Sequence, residues 1–162
     1  MIRVVLTALL AVALLAVSTP ALEDARTDTT VERLETETDR LERAAGGITA
    51  DSVAVADPSL AARTSLVVSA PTGLLAAPID RLALAEPART DAATETRVAE
   101  GVVLVYRLRH GSIRRVSVAP PTDAIGIDLR EGPIELDPDG ETALELRLVD
   151  DGGPTVRIAR VG

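Results

Sequence analysis

The stretch ALELRLVDDGGPTVRIARV, residues 143–161, decides the fold class of this chain. Apolar and polar side chains alternate on both sides of an acidic, glycine-rich centre, and this period of two is typical of a half-buried β-hairpin. A connecting loop with an odd number of residues places Leu148 opposite Val156, whereas an even loop pairs leucines with polar side chains. We therefore predict an odd loop with a glycine at a bulge.

Short runs of the same kind, separated by proline and glycine, extend back to residue 48. They predict strands at residues 64–70, 79–84, 102–109, 113–118, 125–129, 134–136, 143–149 and 155–161. Residues 86–100 lack the pattern and are expected to form a mobile loop. Strands this short and numerous are typical of a small antiparallel sandwich or open barrel. Residues 48–162 are therefore expected to form a small β-domain.

A second hairpin is predicted around residues 110–111, because the glycine there allows the positive φ that a two-residue turn requires. This register places Val105 opposite Val116. It also brings Arg115 next to Tyr106 on the neighbouring strand, where a cation-π contact is expected.

The same hairpin carries a cluster of positive charge in a chain whose formal net charge is -8. The cluster consists of Arg107, Arg109, Arg114 and Arg115. Such a patch suits an anionic partner, either a carboxylate-rich surface or a lipid headgroup. A plain solvated strand face is the alternative interpretation.

Composition excludes several kinds of site. The chain has no cysteine, tryptophan or phenylalanine, and Tyr106 is its only aromatic residue. Disulfides and thiolate metal sites are therefore excluded, and nucleic-acid binding through stacked aromatic side chains is not expected. All basic residues other than the single histidine are arginines, and a lysine-free, acidic composition is typical of proteins in very high salt or of a GC-rich genome.

Few residues suggest chemistry. His110, the single histidine, has no second histidine for a metal site and is expected to be a solvated turn residue. Residues 137–141 place three carboxylates around a proline-glycine turn, for which a weak cation site is the alternative interpretation. No nucleotide-binding glycine pattern, nucleophile elbow or HExxH motif occurs. We therefore expect no enzyme, no cofactor, no metal and no small-molecule substrate.

Residues 22–45, LEDARTDTTVERLETETDRLERAA, form an amphipathic segment with apolar or small side chains at helical spacing. They are Val31, Leu34, Thr38, Leu41 and Ala45. This narrow stripe either packs on its own domain or binds a partner helix through Val31, Leu34 and Leu41. Gly46-Gly47 is predicted to end the helix, so residues 23–47 are assigned to it.

Residues 4–22 contain no charge, and a helix of that length spans about 28 Å, close to the hydrocarbon thickness of a bilayer. Arg3 precedes the segment and Glu23 follows it, which predicts a cytoplasmic N-terminus and an external C-terminal domain. Residues 1–22 are thus interpreted as a transmembrane anchor. A secretory signal cleaved near residues 19–21 and a buried soluble helix are the alternatives.

An N-terminal MIRVVLTALLAVALL, a charged helix and strands that end in GETALELRLVDDGGPTVRIARV resemble an uncharacterised family of short haloarchaeal membrane-anchored proteins. The layout is also similar to type IV pilin-like subunits, which build surface filaments or secretion machines. The chain departs from pilins in having no acidic residue inside the start of the apolar run. The resemblance implies no catalytic residues and no cofactor.

These patterns predict an α+β protein in which an N-terminal transmembrane helix continues into an amphipathic helix and then a small, mainly antiparallel β-sandwich-like domain. We expect a non-enzymatic extracytoplasmic membrane protein that acts as an accessory or pilin-like subunit of a surface or secretion apparatus. Its expected partners are the membrane and other membrane or pilus-type subunits. The alternative is an exported soluble binding module that uses residues 107–115 to bind an anionic partner.

Overall fold

The computed structural model describes residues 2–87, 101–109 and 111–161, and it describes the side chains of the first helix except those at positions 2, 8, 11 and 14–19. One long helix precedes eight strands. Their bounds are α1 (Ile2–Asp51), β1 (Ala62–Ser69), β2 (Ile79–Ala85), β3 (Val102–Leu108), β4 (Ile113–Val118), β5 (Gly126–Leu129), β6 (Ile134–Leu136), β7 (Glu141–Asp150) and β8 (Pro154–Arg160). Every predicted strand is present. His110 and residues 88–100 of the predicted loop lie outside the described residues.

The helix α1 runs unbroken for 50 residues, which is about 75 Å at 1.5 Å per residue. It continues through Pro20 and through Gly46-Gly47 to Asp51. The predicted helix end at the two glycines is therefore wrong. Each interior glycine costs about 1 kcal/mol relative to alanine, but burial of the flanking Ala45 and Ile48 keeps the last turns helical.

The strands form two four-stranded sheets. The first sheet has the order β1-β7-β8-β5 and the second has the order β4-β3-β2-β6. All strand pairs are antiparallel except β5 with β8. The inner faces of both sheets and one face of α1 contribute to a single apolar core. This arrangement confirms the α+β class and the mainly antiparallel β-region.

Aliphatic side chains fill this core, as the near absence of aromatic residues requires. Leu144, Leu146 and Val156 are completely buried, and Tyr106 is 2% exposed. Each buried leucine or valine contributes about 1.5–3 kcal/mol to folding, so many small side chains replace the usual aromatic contribution.

The C-terminal hairpin has the predicted register. Leu146 lies opposite Ile158 and Leu148 lies opposite Val156, and residues 151–153 form a three-residue loop. Gly152 has a φ of 80°, a conformation that favours glycine. The pairing on both sides of the loop runs without a register shift. The odd loop is therefore confirmed, because it alone directs the apolar side chains of both strands into the core.

The predicted register of the β3–β4 hairpin is wrong by one residue. Val116 lies opposite Leu104, and Arg115 lies opposite Val105. The strand β3 is apolar on both faces, so alternation alone does not identify its core face. The structure directs Leu104 and Tyr106 inward. Arg115 therefore projects from the face opposite to Tyr106, and the expected cation-π contact between them does not form.

Candidate functional site

The C-terminal half of α1 lies against β1 and β4, which are edge strands of the two different sheets. Its buried side chains recur every three or four residues and occupy the open side of the sandwich. They are Thr30, Leu34, Thr38, Leu41, Ala45 and Ile48, all at most 8% exposed. A gap of about 10 Å³ beside Leu41 is lined by side chains of both sheets. A space this small barely fits one water molecule, so the helix seals the sandwich closely.

Polar side chains of α1 also bind backbone groups near the ends of three strands. Three backbone N–H groups donate to them: Ala77 to Thr30 Oγ1 at 2.8 Å, Ser69 to Glu37 Oε2 at 3.4 Å, and Ala119 to Glu42 Oε1 at 2.6 Å. These bonds satisfy backbone donors at or just beyond the ends of β1 and β4 and just before β2. The helix is thus fixed to the domain by both apolar and polar contacts.

The structure answers the question of what the helical stripe packs against. Leu34 and Leu41 are 0% and 2% exposed within their own domain, and Val31 is half-buried beside them. Of the two alternatives, the stripe lies along its own domain. Leu34 and Leu41 are consequently not exposed to a partner helix.

The N-terminal half of α1 has a different environment. Up to residue 12, its large apolar side chains with described exposure lie in water-accessible positions: Val4, Val5, Leu6, Leu9, Leu10 and Val12, between 58% and 73% exposed. So many exposed apolar side chains are uncommon on the surface of a monomeric soluble protein. Counting only the residues whose side chains are described, no helix is long and apolar enough to cross a membrane.

A β-bulge in β2 shapes the surface beside the arginine hairpin. The pairing of β2 with β3 shifts between Ile79 and Arg81, so Asp80 and Arg81 are both exposed. Asp80 forms ion pairs with two arginines. Its Oδ2 lies 3.9 Å from Arg107 Nε, and its Oδ1 lies 3.7 Å from Arg109 Nε. One carboxylate therefore partly neutralises two members of the predicted patch.

The other two arginines of the patch, Arg114 and Arg115, lie on opposite faces of the second sheet. Arg115 lies opposite Val105 on the outer face of the second sheet. Arg114 lies opposite the buried Tyr106 and is therefore on the inward side, near the end of the strand. The structure thus brings Arg107, Arg109 and Arg115 to one face and separates Arg114 from them.

Sequence reasoning missed a row of three arginines on the first sheet, two of which pair with acidic side chains. On the outer face of the first sheet, Arg63, Arg147 and Arg157 lie in register across β1, β7 and β8. Asp128 continues this row on β5, and its Oδ2 lies 3.7 Å from Arg157 Nε. The predicted odd loop already implied that Arg147 faces Arg157, but nothing local signals that Arg63 joins them.

The acidic turn at residues 137–141 forms bonds within itself. The backbone N–H of Asp139 donates to Asp137 Oδ1 at 3.0 Å, and that of Asp137 donates to Thr142 Oγ1 at 2.9 Å. A Cβ atom at Gly140 would lie 2.7 Å from Asp137 Oδ2, so a larger residue there would displace the Asp137 carboxylate from this turn. Within the described ranges, no group of three or more acidic or histidine side chains is arranged to hold a metal ion.

Two exposed groups have pKa values shifted from their usual values. The hydroxyl of Ser59, at 2.7 Å, and its backbone N–H, at 2.8 Å, donate to Asp57 Oδ1 and lower the pKa of Asp57. A hydrogen bond to Glu135, together with its charge, raises the pKa of Arg81. Both shifts arise from local surface contacts and do not indicate a reactive centre.

A cleft of about 280 Å³ lies between α1 and the end of β1. Its carboxylate, Glu37, already accepts the N–H of Ser69 and pairs with Arg40 at 2.8 Å. Arg33 is the other charged residue in its lining. This cleft therefore does not assemble the acid and base that proton transfer would need.

Comparison with known proteins gives one assignment. No curated protein and no solved structure matches the chain. A family model described as a domain of unknown function, DUF7311, matches residues 1–161. That span includes both halves of α1 and all eight strands. The chain belongs to the DUF7311 family.

Proposed function

We propose that this protein is a non-enzymatic, single-pass membrane protein that displays its β-sandwich on the outer side. Residues 4–22 of α1 lie among lipid tails, with the N-terminus in the cytoplasm. The observation that carries this proposal is the division of one unbroken helix into two environments. From Thr30 onward the stripe is buried in the domain, whereas the described leucines and valines before residue 13 are exposed.

The exposed side chains give the proposal its energetic basis. Six of them are valines or leucines that are at least 58% exposed. Moving one such side chain from water to an apolar environment contributes about 1.5–3 kcal/mol, so the six together favour lipid by about 10 kcal/mol. The chain has a net charge of -8, and residues 4–22 contain no charged residue. The excess of acidic residues therefore lies in the rest of the chain, where it keeps the protein surface hydrated.

We further propose that the protein acts as an accessory or pilin-like subunit of a surface or secretion apparatus. The support is the layout: half of a long helix projects from the domain, and half packs on its β-sheets. The projecting half offers a side-by-side packing surface to other membrane helices. The haloarchaeal source suggested by the acidic, lysine-free composition stays an expectation.

Fractionation of the full-length protein tests the anchor. We expect the protein to pellet with membranes and to resist an alkaline wash. Replacing Leu9 and Leu10 with arginine should release it, because charges in mid-helix oppose insertion. The matched control is Leu60→Arg in the domain, where Leu60 is 75% exposed and outside the anchor. Wild-type protein that stays in the soluble cytoplasm would overturn the proposal.

Subunit assembly needs a separate test. A photo-crosslinking residue at Val5 should capture other membrane proteins in intact cells, whereas one at Val53, which is 82% exposed at the far end of the domain, should not. Crosslinks only to lipid from Val5 would contradict the subunit role and leave the anchor in place.

The three arginines gathered on the outer face of the second sheet support a second candidate, an exported soluble binding module for an anionic partner. Substituting Arg107, Arg109 and Arg115 should then abolish capture of that partner in a pull-down. Unchanged capture would remove this candidate.

A further inference from the structure

The loop between β1 and β2 presents two leucines to solvent. The backbone N–H of Ala76 donates to the carbonyl oxygen of Gly73 at 3.2 Å, and Gly73 has a φ of 98°. Leu74 and Leu75 are therefore the central residues of a tight turn. They are 85% and 65% exposed. These positions usually hold proline, glycine, asparagine or aspartate, so two adjacent leucines are unusual.

The base of this loop is firmly packed, so the leucines project from an ordered support. Pro71, Ala76 and Ala77 are buried on either side of the turn. Residues 64–79 contain no charged side chain, although 26% of the whole chain is charged. Isolated exposed leucines are common on protein surfaces, but an uncharged loop with a leucine pair at its tip is an apolar contact surface.

The loop lies at the end of the domain that faces the proposed anchor. The hydrogen bond from Ala77 to Thr30 Oγ1 fixes its base at the level of Thr30. Thr30 is eight residues beyond Leu22, which is about 12 Å along the helix. The opposite end of the domain lies near Asp51, where α1 ends.

The distances allow contact with the bilayer that holds the anchor. The headgroup layer occupies about 5–7 Å of the space outside the hydrocarbon on each side. Leu75 and Leu74 lie two and three residues before Ala77, so fully extended chain sets an upper limit of about 7–10 Å on their distance from it, and the turn at residues 73–76 keeps them closer. A loop tip directed along the helix toward Leu22 therefore lies within the headgroup layer, from which interfacial apolar side chains insert.

We propose that Leu74 and Leu75 insert into the outer leaflet beside the anchor and form a second membrane contact. The inference rests on the proposed function. With the helix as one attachment and the loop as another, the domain is held in one orientation on the membrane. The occupant of this apolar tip is lipid, because lipid is the apolar phase that the anchor brings next to it. The segment between the anchor and the domain carries the acidic residues Glu23, Asp24 and Asp28, which anionic headgroups repel. The contact therefore depends on apolar insertion and not on attraction to anionic headgroups.

A tryptophan series tests the proposal, since the chain contains no tryptophan. Full-length Val12→Trp, Leu74→Trp and Leu60→Trp proteins are reconstituted into vesicles whose acyl chains carry bromine. We expect strong quenching at position 12, several-fold stronger quenching at position 74 than at position 60, and blue-shifted emission at positions 12 and 74 only. Leu75→Trp provides a second reporter if Leu74→Trp does not fold, and far-UV circular dichroism checks folding of each variant.

The outcomes separate the two proposals. Quenching at position 12 together with water-like emission at positions 74 and 75 overturns the loop contact and leaves the anchor intact. Blue-shifted emission at position 74 without quenching by brominated lipid indicates contact with a second copy or another protein, which also overturns it. Unquenched tryptophan at position 12 overturns the anchor itself.

Discussion

Replacing Leu41 with alanine should undock the helix from the sandwich. Leu41 is 2% exposed and lines a small gap together with Val68 of one sheet and Leu104 and Leu136 of the other. Truncating a buried leucine costs about 2–5 kcal/mol through lost transfer energy and the cavity left behind. Because Leu41 occupies the centre of the stripe, we expect a cost of about 3 kcal/mol.

Urea unfolding of the chain from residue 23 onward measures this cost without the apolar segment, and that chain retains all the α1 side chains that the structure describes as buried. With a slope of about 2 kcal/mol per molar urea, a 3 kcal/mol loss lowers the midpoint by about 1.5 M. The matched control is Leu60→Ala, because Leu60 is 75% exposed and its truncation should change stability by less than about 0.5 kcal/mol. A midpoint for Leu41→Ala equal to that of the control would refute the docking of α1.

Three further substitutions test the helix end, a hydrogen bond between α1 and the domain, and the arginine row. Replacing Gly46 and Gly47 with alanine should stabilise the domain by about 0.5–1 kcal/mol per site, since both lie inside the helix with open space around them, and a lower thermal midpoint would contradict the helical assignment. Thr30→Val should destabilise it by about 1–3 kcal/mol in urea unfolding, because the N–H of Ala77 loses its acceptor, whereas an unchanged midpoint would argue against that bond. Arg63→Glu should stabilise it by about 0.5 kcal/mol at low salt by relieving repulsion between facing arginines, and the gain should shrink in high salt.

The sequence predicts the β-region well where one strand face is polar. In the last hairpin, the arginines and acidic residues of β7 and β8 alternate with leucine, valine and isoleucine, so only one register buries the apolar set. The strand β3 reads VVLVYRL and is apolar on both faces, and there the register prediction fails by one residue. Long-range packing, which alternation does not encode, selects its core face.

The helix end and the basic surfaces show the same limit. Gly46-Gly47 is a local stop signal, but burial of Ile48 outweighs it. Arg114 and Arg115 are consecutive in β4 and lie on opposite faces in any register, but the true register places Arg115, and not Arg114, on the face of Arg107. The arginine row on the first sheet brings Arg63 next to residues more than eighty positions away, which only the sheet order reveals.

Intact mass measurement of the natural protein in its membrane fraction tests the central claim most directly. We expect a species that retains residues 4–22, resists alkaline extraction and has its β-domain accessible to protease only from outside the cell. A species that begins at Leu22 or later and is found free in the medium would contradict the anchor. A full-length species recovered from the soluble cytoplasm would contradict the account as a whole.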